Sequence, residues 1–255
     1  MRYFQICAPL QKAFLVRTDC PATIDALTLK FQRYVSEVNE RPHETCEDCT
    51  EDPLLASAES ADEFLARLDQ LIFERNSYDD TVLAFHGAAV AWQKKAYLFL
   101  ASTTSGKTTL VAYLAANGFD YITDDCILLN RTDFSVTPFP TPIHLRHGGM
   151  EVLTRYGAQP THYTQVADRY LYTPQNCVAE PLPLGAIFFI QRTESENKVV
   201  ELPANAQMIE LMKSPITTYP VTAEYLQLLS RLTKTNCRQL IYSDMAFVAE
   251  VIRHG

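Results

Sequence analysis

Eight consecutive residues, Ala101-Ser-Thr-Thr-Ser-Gly106-Lys107-Thr108, are of the types that hold an anion. They follow the apolar run 96–100 and precede the helix-compatible stretch 108–117. Backbone N–H groups of such a loop, with the free N–H groups that open the helix, converge on a phosphate-like group. Lys107 adds a point charge, and the Thr108 hydroxyl can ligate a divalent cation. Strand, tight loop, Gly-Lys-Thr and helix together are the layout of a phosphate-binding loop. Ala101, Ser102, Thr103, Thr104, Ser105, Gly106, Lys107, Thr108 and Thr109 are therefore the candidate nucleotide-binding residues. The usual pattern is G-x-x-x-x-G-K-[ST], and Ala101 stands at its first glycine.

Two further pairs flank the loop. His86-Gly87 lies within a strand-like run, His86 falling 15 residues before Ala101, and Asp124-Asp125 begins 17 residues after Lys107. Phosphoryl transfer needs a phosphate cradle, a metal ligand and a base for the acceptor hydroxyl. A carboxylate at the end of a strand beside the loop can do either of the last two. Neighbours on a strand point to opposite faces, so the two aspartates should divide these roles rather than share one.

The elements that must position these groups form an α/β pattern. Short strands are expected at 3–7 and 13–16, and helix-compatible spacing runs over 22–38. Residues 40–59 are rich in Pro, Glu, Asp and Cys and read as a loop or mobile insert. Apolar residues at 64, 65, 68, 71 and 72 make the stripe of an amphipathic helix, with Ser60 as N-cap and Glu63 completing a capping box. Runs 82–92 and 96–100 read as a hairpin turning at Gln93-Lys94-Lys95. Gly118 suits a helix C-terminus, and strands are expected at 121–122, 126–129, 185–190 and 199–202. Pro138, Pro140 and Pro142 impose an irregular connection between them. The last 50 or so residues read as helices over 204–212, 223–232 and 244–253. The expected division is a small N-terminal α+β region, 1–80, and a nucleotide-binding domain, 81–255.

Composition narrows the class. The chain has 255 residues, 47% hydrophobic and 20% charged, enough to bury a substantial core. Thirty acidic against 22 basic residues give a net charge of −8, which opposes nucleic-acid binding. No 18-residue apolar stretch suggests a membrane span, and the N-terminus lacks the apolar core of a signal peptide. Seven cysteines, an odd set in a chain of this size, read as reduced thiols in a cytoplasmic protein. His43, Cys46 and Cys49 have the types and spacing for three zinc ligands but lack a fourth, so metal site, redox pair and plain loop all stay open.

His86-Gly87, the loop and the run Ile122-Thr-Asp-Asp resemble the kinase domain of bacterial HPr kinase/phosphorylase and its shorter relatives, among them the peptide-tailoring kinases of natural-product pathways. In that family a His-Gly pair precedes the loop by about fifteen residues, and an Asp-Asp pair follows the loop lysine by about seventeen. The match covers roughly 82–129. More weakly, Pro142-x-x-Leu-Arg146 and the Gly185 strand ending near Arg192 look family-like. The resemblance implies a fold related to phosphoenolpyruvate carboxykinase, with ATP and Mg²⁺ as cofactors. It also implies Lys107 on phosphate, Thr108 on the metal with Asp124 supporting it, Asp125 as base, and His86 lining the site. Departures are specific: of Gly-Asp-Ser-Gly-Val-Gly-Lys-Ser only Gly106 and Lys107 persist, and no Glu-Ile-Arg-Gly-Leu-Gly segment occurs.

The expected activity is transfer of a γ-phosphoryl group to a hydroxyl, serine above all, of a peptide or protein. A kinase for a small-molecule alcohol is the same chemistry with another pocket. The alternative from another class is a regulatory or partner-binding protein whose nucleotide loop is degenerate. HPr kinases are known as oligomers, which leaves homo-oligomerisation open.

Overall fold

The computed structural model describes all residues except 1, 8, 11–12, 39–45, 49–57, 103–104, 159–162, 167–168, 215–219 and 255. The chain is a mixed α/β protein that divides into two compact units, Met1–Asp79 and Asp80–Gly255.

In the first unit, β1 (Arg2–Cys7) pairs antiparallel with β2 (Ala13–Thr18). Helix α1 (Pro21–Lys30) starts with proline at its first position, where the missing N–H is harmless. The chain then enters β3 (Val35–Val38), which adds antiparallel to β1, while β4 (Cys46–Asp48) lies parallel to β2. Helix spacing over 22–38 is therefore only half realised. The free edge of β1 gives Val35 and Val38, both β-branched, a ladder to join, and pairing there overrides the helical pattern. Helix α2 (Ala61–Ser77) begins at Ser60, whose hydroxyl accepts from the Glu63 N–H at 3.2 Å. The Glu63 carboxylate reaches one residue further back than a capping box would, to the Glu59 N–H at 2.8 Å. The two helices pack together, and their buried residues Leu27, Leu68 and Ile72 are joined by an ion pair between Lys30 and Asp69.

In the second unit the long strand β5 (Val82–Trp92) and β6 (Lys95–Leu100) form the expected hairpin. Its turn residues Gln93 and Lys94 both have positive φ, 48° and 61°, as a two-residue turn matched to strand twist requires. Helix α3 (Lys107–Ala116) follows the loop, and β7 (Asp120–Thr123) and β8 (Cys126–Asn130) both return antiparallel to β5. After β9 (Val136–Thr137) come β10 (Ile143–Arg146), α4 (His147–Arg155), β11 (Tyr163–Val166) and β12 (Arg169–Tyr172). Strands β10, β12 and β11 form a separate three-stranded sheet. The chain ends with β13 (Leu184–Arg192), β14 (Lys198–Glu201), α5 (Ala204–Met212), α6 (Ala223–Leu232), β15 (Cys237–Tyr242) and α7 (Met245–His254). The main sheet runs β14-β15-β13-β6-β5-β8-β9, with β7 also paired to β5. Strands β6, β13 and β15 are mutually parallel, so their C-terminal ends meet on one edge.

Strand β15 corrects the expectation that the C-terminal region is helical. Arg238 and Gln239 interrupt its apolar pattern, yet it sits inside the sheet between β13 and β14. Period-2 alternation divides the core across the sheet. Tyr97, Phe99, Phe188 and Ile190 pack with Leu110 and Leu114 of α3, Leu153 of α4 and Val248 of α7. Leu98, Leu100, Ile187 and Phe189 face the other way, with Leu211 of α5 and Leu228 and Leu229 of α6. Helices thus cover both faces, which clamps β6 and fixes where the loop at its end emerges. Each such buried aliphatic or aromatic side chain contributes roughly 1.5–3 kcal/mol.

Candidate active site

The loop leaves β6 at Leu100 and enters α3 at Lys107. Gly106 caps the helix with φ 87°, a left-handed conformation that glycine adopts without strain. Ala101, the replacement for the usual first glycine, does not have positive φ, so its Cβ imposes no strain on the backbone there. Lys107 is buried, and its ammonium donates to the carbonyl oxygens of Ala101 at 2.9 Å and Ser102 at 3.1 Å. The lysine thus spans its own loop. The Ser105 hydroxyl is buried with no hydrogen-bond partner. Thr103 and Thr104 lie outside the described residues.

The aspartates are placed by β5. Thr123 ends β7 opposite Ala89, and Cys126 opens β8 opposite His86. Between them the ladder breaks at Asp124 and Asp125, opposite Gly87 and Ala88. Asp125 has φ 75°, and the Thr123 hydroxyl bridges the break by donating to the Cys126 carbonyl at 2.8 Å. Gly87 is required at this crossing: a Cβ there would lie 2.6 Å from Leu100 Cδ2 and 2.8 Å from the Phe99 carbonyl oxygen. His86 Nδ1 lies 3.2 Å from the Asp125 carbonyl oxygen. A carbonyl only accepts, so Nδ1 is assigned the proton and Nε2 of the neutral ring keeps a lone pair. The break separates the two carboxylates, with Asp124 buried and Asp125 exposed.

Burial dominates the electrostatics. Asp124 is pushed up to about 8 by burial first and by the charge of Asp125 second, against a hydrogen bond from Thr108 and the charge of Lys107. Its Oδ1 has no hydrogen-bond partner. Burial also lowers Lys107, opposed by Asp124 and Asp125. His86 is lowered by burial and then by Lys107, again opposed by Asp125. A buried carboxyl with an orphaned oxygen beside a threonine hydroxyl has the chemistry of a cation ligand. Among the described residues no group of three His, Cys, Asp or Glu side chains forms a self-sufficient metal cage. Thr108 and Asp124 would hold a cation together with ligand oxygens, as suits magnesium.

The structure therefore brings His86, Lys107, Thr108, Asp124 and Asp125 to one edge of the sheet. Arg192 ends β13 on that same edge, where it lines a cleft beside Gly106. Arg146 is exposed at the start of α4. His147 lies 3.2 Å from Glu151 and stacks on Tyr170, against which Tyr163 packs edge-on. Tyr172 is buried in the core. His43 and Cys49 lie outside the described residues, as does the Cys46 side chain. Thr109, already a candidate from the sequence, lines the cleft beside Gly106 together with Tyr156 and Tyr242, which sequence reasoning missed. Their separation along the chain carries no signal that they converge.

No protein-family model matches the chain, and no curated protein matches it. Among solved structures it is similar to the HPr(Ser) kinase/phosphatase from Coxiella burnetii. That similarity has 12% sequence identity and a TM-score of 0.34, and it covers 67% of this chain and 93% of the other. No helix among the described residues is long and apolar enough to cross a membrane.

Proposed function

We propose that this chain is an ATP- and magnesium-dependent kinase that moves the γ-phosphoryl group to a hydroxyl of a peptide or protein, with serine as the favoured acceptor. One observation carries the reading. The buried Asp124 carboxyl, with its free Oδ1, sits beside Thr108 and Lys107 where a glycine-capped helix opens toward the loop. In this site Lys107 exchanges the Ala101 and Ser102 carbonyls for phosphate oxygens. The N–H groups that open α3 hold the same anion. Magnesium, when bound at Thr108 and Asp124, neutralises charge on the phosphate oxygens. Exposed Asp125 takes the proton of the acceptor hydroxyl. His86 holds the Asp125 backbone through its Nδ1. Most of the catalysis in such a site is positioning and charge stabilisation. We place the protein in the cytoplasm, acting without nucleic acid or membrane as partner, and its oligomeric form follows from the acceptor assay below.

A second reading, a nucleotide-binding regulatory protein, is favoured by Lys107 already having two carbonyl partners. Titration with ATP, with and without magnesium, decides first: failure to bind at millimolar ATP ends the kinase reading. Incubation with γ-labelled ATP and the peptides, proteins or alcohols produced alongside this chain, followed by sizing of the active species, then separates the readings. Under the kinase reading Asp125→Asn abolishes label transfer while ATP still binds.

A further inference from the structure

The sheet of β10, β12 and β11 has one face that is core at one end and bare at the other. Ile143, Leu145 and Tyr172 on that face pack with Leu110 and Leu114 of α3. Tyr163 and Tyr170 lie on the same face as diagonal neighbours, because Tyr163 stands opposite Tyr172 and Tyr170 opposite Gln165. Their rings meet at 73° with centroids 5.5 Å apart. His147, the first residue of α4, extends the cluster, its ring tilted only 29° from that of Tyr170 at 6.2 Å between centroids. Tyr163 and His147 are exposed and Tyr170 is half-buried.

We infer that this aromatic corner binds the base of the nucleotide whose phosphates lie on the loop. The inference rests on the nucleotide-binding reading and adds to it where the nucleoside goes. A base is planar with two π faces, and an open aromatic surface holds it by stacking, without a closed pocket. The corner and the loop are close. Helix α4 packs on α3, and a Cβ on Gly149 would stand 3.2 Å from the Oγ1 of Thr109, the residue after Thr108. His147 comes two residues before Gly149, about 3 Å along the helix axis. Gly148, between them, has no side chain, and a Cβ there would meet nothing within 4 Å, so the way from Thr109 to His147 is open. A phosphate chain that starts at Asp124 and Thr108 and crosses Thr109 therefore delivers its ribose and base to His147, Tyr170 and Tyr163.

Two of the three rings are oriented in advance. His147 Nε2 lies 3.2 Å from the Glu151 carboxylate, which only accepts, so Nε2 carries a proton. Its Nδ1 lies 3.3 Å from the Tyr170 hydroxyl. A surface whose rotamers are already held loses less freedom when a ligand lands on it.

Inorganic tripolyphosphate carries the phosphate chain without the nucleoside, so the test compares it with ATP by calorimetric titration in the presence of magnesium. For the native chain ATP should bind at least tenfold tighter than tripolyphosphate. Tyr163→Ser and His147→Ser, both at exposed positions, should each weaken ATP about tenfold, as loss of a base–aromatic stack does, and leave tripolyphosphate within twofold. Tyr163→Phe, which keeps the ring, should bind ATP as the native chain does. Equal binding of both ligands by the native chain overturns the inference while leaving the phosphate site intact. So does ATP binding that either Ser variant leaves unaltered, an equal loss of both ligands in these variants, or a Phe variant as weak as the Ser one. If the native chain binds neither ligand, the nucleotide reading falls and takes this inference with it.

Discussion

The Nδ1 of His86 lies 3.2 Å from the carbonyl oxygen of Asp125, the residue whose φ of 75° breaks the strand beside the loop. A left-handed aspartate is a conformation held by its surroundings, and this hydrogen bond is one of the things that holds it. It links the strand that precedes the loop to the carboxylate expected to act as base. If Asp125 is the base of the proposed kinase, His86 acts on the chemistry through the position of Asp125.

From this follows a rescue experiment. His86→Ala should lower the transfer rate on the order of 10–100-fold, the effect of a base displaced by about an ångström. ATP affinity should stay within threefold. His86→Asn, whose amide can donate to the same carbonyl, should recover most of the loss. If Ala and Asn behave alike in steady-state kinetics, the hydrogen bond is not the cause.

Asp124 makes the stability of the ligand-free protein depend on pH. Its folded-state value of about 8 lies above the ordinary 3.8, so the folded chain binds a proton that the unfolded chain has released. Stability therefore falls as pH rises from about 4 toward 8 and levels off beyond it. Asp124→Asn removes that proton equilibrium. Thermal unfolding at pH 5 and pH 9 should show the variant gaining on the native chain by more than ~1 kcal/mol at the higher pH. A constant difference across that range would show that the native carboxyl is not raised.

His86 bends the curve on the acid side. Burial lowers its value below the ordinary 6.5, so the unfolded chain takes up a proton first as pH falls. Stability due to the neutral ring is complete above that value and is lost below it. His86→Asn should flatten the loss between about pH 6.5 and 5, as followed by denaturant midpoints.

Gly87 is the point where β5, β6 and β8 crowd together. A Cβ there would meet Leu100 Cδ2 at 2.6 Å, Ile127 Cδ1 at 2.7 Å and the Phe99 carbonyl oxygen at 2.8 Å. The last is backbone and cannot rotate away. Gly87→Ala should destabilise the fold by about 1–3 kcal/mol, read from urea midpoints at unchanged slope. A loss below ~0.5 kcal/mol would mean the strands can part at no appreciable cost.

Much of the site was legible because its parts are local in sequence. The strand-loop-helix run at 96–117 and the hairpin before it announce themselves through apolar pattern and a glycine. The spacings from His86 and to Asp124 say which strands flank them. What stayed hidden depends on neighbours distant in the chain. Strand β15 reads weakly because Arg238 and Gln239 interrupt it, and only its place between β13 and β14 makes it a strand. Helix α4 carries Gly148 and Gly149 in its first turn, a poor local signal, and forms where it packs on α3 and β10. That the two aspartates differ in burial follows from the left-handed φ at Asp125, which no residue pattern announces.

The missing glycine can be judged by putting it back. Ala101 does not have positive φ, whereas Gly106 has φ 87°, so the two positions ask different things of the backbone. Ala101→Gly should leave ATP affinity within twofold and lower stability by about 0.4–1 kcal/mol, the entropy a glycine returns to the unfolded chain. Gly106→Ala meets nothing closer than the Tyr242 hydroxyl at 3.5 Å, so space is not its problem. Its backbone conformation is, at roughly 1–2 kcal/mol for a side chain in the left-handed region. It should also weaken ATP more than tenfold, because relaxing that φ turns the first N–H groups of α3 away from the phosphate. Tighter nucleotide binding by Ala101→Gly in the same titration would instead show that the loop is impaired as it stands.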